Sequence, residues 1–284
     1  MSNNDDLVAD SGSGAAIRLP VPVATIGGLP IAVIDRAFSA RLMLDIALAR
    51  DGENRPAPVF TSANGQVLSM CAGDADIRKL FLAADLIHAD GMPLVFASRL
   101  LCATPLPERV ATTDLFHDAA RLAQACGATF YFLGATSATI EATVRRVRSL
   151  YPRLEIVGYR DGFFNREQES QVVEAINAKR PDILWLGLGA PAEQRFAMRN
   201  RNRLRNVGLI KTSGGLFDFL SGNNRRAPHW MQTLGLEWAY RLSLEPKRLG
   251  ARYAMTNPHA LFLLLTRTRR PSWPAYPGAQ SDYD

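Results

Sequence analysis

The sequence is poor in the residues that staple a fold or hold a metal. Its three cysteines, Cys71, Cys102 and Cys126, are scattered and form no C-x-x-C pair. A disulfide framework is therefore excluded, and a reducing cytoplasm is the expected compartment. The four histidines, His88, His117, His229 and His259, share no i, i+4 spacing, which removes the usual zinc chemistry. Long apolar runs are missing too. A transmembrane helix needs about 18 or more such residues, and residues 260–265, the longest local candidate, fall far short. The chain is not expected to span a membrane by itself. No G-x-S-x-G elbow, Walker A loop or G-x-G-x-x-G fingerprint occurs, so ordinary hydrolases, kinases and dehydrogenases lose most of their support. Residues 1–14 lack the basic segment and apolar run of a signal peptide, and a disordered leader is expected over 1–20. The tail 271–284, with Pro271, Pro274, Pro277 and Gly278, is expected to be disordered as well.

What remains is a chain of 284 residues, 47% hydrophobic, enough for one large α/β domain or two small ones. Short β-type runs alternate with helical patterns. Residues 31–34 precede a helix over 38–49, 58–61 precede one over 65–70, and 129–134 precede 140–150. Residues 154–158 then lead to 168–179, 183–187 to 192–203, and 209–211 to the pair Gly214-Gly215. This alternation predicts an α/β fold, a Rossmann-like parallel sheet with helices on both faces, over residues 21–222. In such sheets ligands bind beyond the carboxyl ends of the strands. The alternation stops after Gly222, and 223–270 read as a helical C-terminal appendage with helices over 230–244, 248–255 and 259–266. Met231, Leu234, Trp238 and Leu242 would form one apolar stripe on the first.

Formal net charge is +6, and its placement says more than its sum: residues 225–270 hold nine Lys or Arg against Glu237 and Glu245. Such a field attracts phosphate, whether of nucleic acid, anionic lipid or a sugar nucleotide. Arg199, Arg201, Arg203 and Arg205 read as a solvated helix and turn. Arg241, Arg248 and Arg252 stand beside Trp238, Pro246 and Tyr253, which suits positioned roles. Asp74-Ala75-Asp76 has the D-x-D form of a cation site, yet it opens a helix, where capping alone accounts for it. Asp90-Gly91 ends an apolar run. A carboxylate at a strand end beside glycine can face a cleft and accept a proton from an attacking hydroxyl.

The series Ala89-Asp90-Gly91, Glu108-Arg109-Val110 with Asp114-Leu115, Phe132-Leu133-Gly134, Gly187-Leu188-Gly189-Ala190-Pro191, Gly214-Gly215-Leu216-Phe217-Asp218, Arg225-Arg226-Ala227-Pro228 and Leu236-Glu237-Trp238 resembles, in order and spacing over about residues 30–255, the WecG/TagA/CpsF glycosyltransferases, glycosyltransferase family 26. The Ala111-Thr112-Thr113-Asp114 segment is most similar to GumM-like exopolysaccharide glucosyltransferases. The resemblance implies inverting, metal-independent transfer of a hexose, here glucose in β-1,4 linkage, from a UDP-sugar donor to a lipid-diphosphate-linked sugar acceptor, with no cofactor. It also implies a peripheral site at the cytoplasmic face of the bacterial inner membrane. Carried over by position, Asp90 is the general base and Ser62 and Asn64 lie near the acceptor, the serine standing where a threonine is usual. Arg109 lies near the acceptor or its phosphate. Gln194 and Asp218 lie near the nucleotide, Gly134, Gly189, Gly214 and Gly215 are substrate-binding, and Arg241, Arg248 and Arg252 hold the diphosphate. Pro191-Ala192-Glu193-Gln194 reverses the usual order of amide and acid, leaving open which of Glu193 and Gln194 meets ligand.

Other donors of the same family, UDP-N-acetylmannosamine and UDP-glucuronate, stay open. So do a UDP-sugar epimerase or hydrolase, which would need no lipid acceptor, and a basic module binding membrane or nucleic acid, which would leave Asp90 and the glycine turns unused. The transferase reading expects no nucleic-acid partner and contact with the inner-membrane surface through Arg267, Arg269, Arg270 and residues 261–265. It admits a homo-oligomer of unread symmetry and size.

Overall fold

The computed structural model describes residues 19, 21–49 and 56–269. Apart from Leu19, the leader expected over 1–20 lies outside these residues, as do the tail 271–284, Arg270 and the Arg248 side chain. The chain opens with β1 (Val23–Ile26) and β2 (Leu29–Ala32), which pair antiparallel as a separate two-stranded sheet. The run 31–34 therefore does not start a parallel strand as its composition suggested. Gly27 and Gly28 both have positive φ, 59° and 87°, the requirement of the two-residue hairpin turn that reverses the chain here.

After α1 (Arg36–Leu48) come β3 (Val59–Ala63), α2 (Gly65–Gly73), α3 (Ala75–Leu82), β4 (Leu86–Ala89), α4 (Met92–Leu101) and α5 (Thr112–Cys126). They are followed by β5 (Thr129–Gly134), α6 (Ser137–Leu150), β6 (Glu155–Arg160), α7 (Glu169–Lys179), β7 (Ile183–Gly187), α8 (Ala192–Asn200), β8 (Leu209–Thr212) and α9 (Leu216–Ser221). The six later strands form one parallel sheet in the order β4-β3-β8-β7-β5-β6. The chain steps outward from β3 to β4 on one side and from β5 to β6 on the other, and β7 and β8 fill the centre. Such a reversal opens a crevice at the carboxyl edge.

Side chains alternate between the faces, as strand geometry requires. Phe60, Phe130, Phe132, Trp185 and Leu209 pack with α1, α5, α6 and α9. Val59, Tyr131, Leu133, Leu184, Leu186 and Ile210 face the other way, with α7 and α8. A third cluster joins the β1-β2 hairpin to α2, α3, α4 and the C-terminal helix through Ile31, Leu68, Phe81, Leu94, Leu263 and Leu264. Burying one such large side chain contributes about 1.5–3 kcal/mol.

Among the described residues, the chain beyond Gly222 holds three helices: α10 (His229–Thr233), α11 (Glu237–Leu244) and α12 (Pro246–Thr266). The single helix expected over 230–244 is broken at Gly235, whose φ of 73° is left-handed, so the anticipated stripe is divided between α10 and α11. Conversely, the break expected between 255 and 259 is absent, and α12 runs through Pro258. Proline deprives that turn of one hydrogen bond, but the second half of α12 is held on α2: Ser69 Oγ lies 2.9 Å from His259 Nδ1, and Leu263 and Leu264 are buried. No helix among the described residues is long and apolar enough to cross a membrane.

One surface expectation fails. Arg201 is 4% exposed and donates to Asp85 Oδ2 at 2.9 Å and to the Ala83 carbonyl at 3.2 Å. It ties the end of α8 to the start of β4 rather than standing in solvent.

Candidate active site

Two neighbouring strands of the sheet, β5 and β7, end in glycine. Gly134 ends β5 with φ 148°, and a Cβ there would lie 2.2 Å from the Gly187 carbonyl oxygen at the end of β7. Any other residue would push the two strand ends apart. Gly189, Gly214 and Gly215 continue the same edge in the loops leaving β7 and β8. Asp90 follows β4 directly. Its backbone N–H donates to the Ala63 carbonyl of β3 at 2.8 Å, and Val110 N–H closes on the Ala89 carbonyl at 2.8 Å, which fixes the carboxylate over the β3-β4 side of the crevice.

That carboxylate sits at the N-terminus of α5. Its Oδ2 accepts from Thr112 Oγ1 at 2.9 Å and from Thr112 N–H at 3.3 Å, a placement the helix dipole favours. Thr112 Oγ1 lies 3.2 Å from Ser62 Oγ, and Ser62 Oγ accepts from Lys211 Nζ at 2.9 Å. Lys211 also donates to the Thr212 carbonyl at 2.9 Å and is wholly buried. Burial pulls its pKa down to about 8, against the opposing pull of Asp90 and Glu193. His88, wholly buried edge-on to Phe60, is held well below the usual histidine range by burial and by Lys211.

Glu193 and Gln194 both turn inward. Glu193, 3% exposed, accepts from Gly214 N–H at 2.9 Å, and burial pushes its pKa up to about 7. Gln194 Nε2 donates to Thr61 Oγ1 at 3.1 Å and to Glu193 Oε1 at 3.3 Å. Its Oε1 is buried with no hydrogen-bond partner among the described residues. Asn64 caps α2, accepting from Val67 N–H at 3.1 Å, and lies against Gly91. The structure thus brings Ser62 and, through Thr112, Asp90 to one buried lysine, with Glu193 tying Gln194 and Gly214 to its other side, while Asn64 stands apart beside Gly91.

The remaining candidates form separate groups. Asp218 lies in the first turn of α9 beside Gly215, and the Arg241 guanidinium stands 5.7 Å from the neighbouring Phe219 ring. Arg109 donates to Glu237 at 2.7 Å and to Gln232 at 3.1 Å, with Asp114 3.7 Å away. Arg226 pairs with Asp114 and donates to Gln232 at 2.6 Å. These five side chains lock α10 and α11 onto α5. Arg252 stands 5.3 Å from the Tyr253 ring, which meets Trp238 edge-on; its Nε is buried without a partner among the described residues. The D-x-D pair faces none of this. Asp74 caps α3 through Asp76 N–H and Ile77 N–H, which hold its carboxyl below the ordinary range, and Asp76 pairs with Lys79. No group of three or more His, Cys, Asp or Glu that could hold a metal occurs among the described residues.

Sequence reasoning passed over Lys211, Thr112, Arg226 and Glu237 as site residues. A lysine inside the otherwise apolar run Leu209-Ile210-Lys211 was the available signal, since burying an ammonium is costly unless it is paired.

Two comparisons bear on this arrangement. A protein of Bacillus subtilis (strain 168), named N-acetylglucosaminyldiphosphoundecaprenol N-acetyl-beta-D-mannosaminyltransferase, is 30% identical over 228 residues, 79% of this chain and 85% of its own. The protein of the same name in Bacillus spizizenii (strain ATCC 23059 / NRRL B-14472 / W23) is 34% identical over 230 residues, 81% of this chain and 87% of its own. The sequence model of the Glycosyl transferase WecG/TagA/CpsF family matches residues 24–273, the sheet, the Asp90 crevice and all three C-terminal helices included, so the chain belongs to that family and is a glycosyltransferase.

Proposed function

We propose that this enzyme transfers N-acetylmannosamine from its UDP-linked form to N-acetylglucosamine carried on undecaprenyl diphosphate, with inversion and without a metal. The glucose donor expected from the exopolysaccharide-like segment gives way to N-acetylmannosamine because both relatives carry that activity in their names. The observation that carries the chemistry is Asp90: a carboxylate fixed by backbone at the carboxyl edge, with Oδ2 taken by Thr112 and Oδ1 without a hydrogen bond among the described residues.

In the step proposed, the acceptor hydroxyl oxygen bonds to the anomeric carbon, the bond from that carbon to the diphosphate breaks, and UDP leaves with the electron pair. The hydroxyl proton passes to Asp90 Oδ1. Arginines Arg241, Arg248 and Arg252 neutralise the departing diphosphate, a role that their fixed planar charge suits. Docking on an anionic leaflet is assigned to the end of α12. Of the run 261–265, Leu263 and Leu264 face the core while Leu261, Phe262 and Leu265 are exposed, and Arg267 and Arg269 follow them, exposed.

The test incubates the purified protein, with EDTA present, with UDP-N-acetylmannosamine, UDP-glucose and UDP-glucuronate in turn. The acceptors are short-chain lipid diphosphates bearing N-acetylglucosamine or glucose, and UDP release and lipid-product mass are read together. Gain of one N-acetylhexosamine on the N-acetylglucosamine acceptor is expected. Gain of a hexose from UDP-glucose restores the glucose reading, and UDP-sugar turnover without acceptor refutes transfer to lipid. Asp90→Asn should lower turnover about 100- to 10,000-fold at unchanged thermal stability; undiminished turnover removes Asp90 as the base.

A further inference from the structure

We propose that Lys211 is a positioning residue for the transfer step: its ammonium sets the direction of the Ser62 and Thr112 hydroxyls so that both protons point toward Asp90 Oδ2, reserving Oδ1 for the acceptor's proton. The proposal rests on Asp90 being the base.

The direction follows from donor and acceptor inventory. An ammonium has three donors and no acceptor, so in the 2.9 Å contact between Lys211 Nζ and Ser62 Oγ the serine accepts. Its own proton is then free to go to Thr112 Oγ1, 3.2 Å away. Thr112 in turn donates to Asp90 Oδ2 at 2.9 Å, because an ionised carboxylate only accepts. Each link is polarised by the one before it, and the chain runs one way from cation to anion. Without the cation Thr112 would still donate to Asp90, but nothing would oblige Ser62 to turn its own proton toward Thr112 Oγ1 and reinforce that bond. Thr112 N–H adds a second donor to the same oxygen, so Oδ2 is occupied from two sides.

Placement makes this more than a strut. Lys211 is on β8, next to β3 in the sheet, and Phe60 is its register partner. Asp90 lies beyond β4 on the far side of β3, and Glu193 reaches in from α8 to hold the Gly214 N–H. The charged and titratable groups around the ammonium are therefore Asp90, Glu193 and the neutral His88. A buried cation is costly, and an aliphatic side chain in this strand would avoid that cost; what the lysine supplies is the ordered chain to Asp90.

The experiment measures steady-state kinetics with donor and lipid acceptor for Lys211→Met, Ser62→Ala and the double variant. Each single variant should lose about tenfold to hundredfold in kcat, the scale of a misoriented reacting group, with both KM values within about twofold. The double variant should be no slower than Lys211→Met, since the two act through one chain. Wild-type kcat in Lys211→Met, multiplying losses, or a Ser62→Ala effect confined to acceptor KM each overturns the proposal. If Lys211→Met does not fold, Ser62→Ala and Thr112→Val at half-buried and buried hydroxyls decide it, and unchanged kcat in both overturns it. Inactive Asp90→Asn beside fully active Lys211→Met removes the positioning role alone; active Asp90→Asn removes the base assignment beneath it.

Discussion

Arg201 and Asp85 show how much one side chain can hold and how little of that a sequence discloses. Their side chains are 5% and 0% exposed, and Asp85 also accepts from Val59 N–H at the head of β3 at 2.7 Å. Removing the counter-charge of a buried carboxylate costs about 3–5 kcal/mol. Arg201→Ala should therefore lower the urea midpoint strongly, while Arg203→Ala, on an exposed residue two positions on, should stay within about 0.5 kcal/mol. Equal, small effects would mean that the pair is no more than a surface contact. In the string Arg199, Arg201, Arg203, Arg205 nothing distinguishes the second member. What buries it is the end of α8 at Asn200 and the chain's turn beneath β4, a relation between elements 116 residues apart. Lys211 was hidden differently: its neighbours read as strand, and only the packing of β3 and β4 shows that its charge faces Ser62 and Asp90. Asp90 itself was legible, because a carboxylate and a glycine closing an apolar run place themselves at a strand end.

At the scale of elements, five of the six parallel strands were readable in the alternation, and β4 only as the apolar run that ends at Asp90, because strands covered on both faces become apolar runs. The order in which they lie was not, since it depends on which helices cross which face. The hairpin β1-β2 and the unbroken α12 escaped for opposite reasons: an apolar run has no sign for antiparallel pairing, and a proline signals a stop that tertiary contact overrides. The end of α12 illustrates the second case and can be tested. Leu263 is fully buried in the cluster with Ile31 and Leu68, while Leu261 on the same helix is 58% exposed. Leu263→Ala should cost about 2–5 kcal/mol and lower the melting temperature, with Leu261→Ala close to neutral. Binding to anionic vesicles should respond in the reverse sense, weakening in Leu261→Ala. If both variants are equally destabilised, the second half of α12 does not divide its faces in this way; if Leu261→Ala binds vesicles as wild type, docking lies elsewhere.

For the molecule as a whole, burying Glu193 and Lys211 together writes a pH dependence into stability. Glu193 holds its proton up to about pH 7 in the folded chain, against an ordinary value of 4.5. Between those values the folded state binds more protons than the unfolded state, so stability falls as pH rises through this window. Lys211 gives up its proton near pH 8 when folded, against an ordinary 10.5. From about 8 to 10.5 the unfolded state binds more protons, and stability rises with pH. The two contributions place a trough near pH 7–8, where both charges are present together to the greatest extent and their desolvation is only partly offset by Gly214 N–H and Gln194 on Glu193, by Ser62 and the Thr212 carbonyl on Lys211, and by their mutual attraction. A fold that keeps two buried ions at a cost in stability keeps them for another reason, and the proposed path from Lys211 to Asp90 supplies one. Urea unfolding free energies measured from pH 4 to 10 provide the check. Relative to wild type, Glu193→Gln should flatten the fall below pH 7 and Lys211→Met the rise above pH 8, each by on the order of a few kcal/mol across its window. Curves for both variants that run parallel to wild type would show that neither group changes protonation between the folded and unfolded chain, and that the trough has another origin.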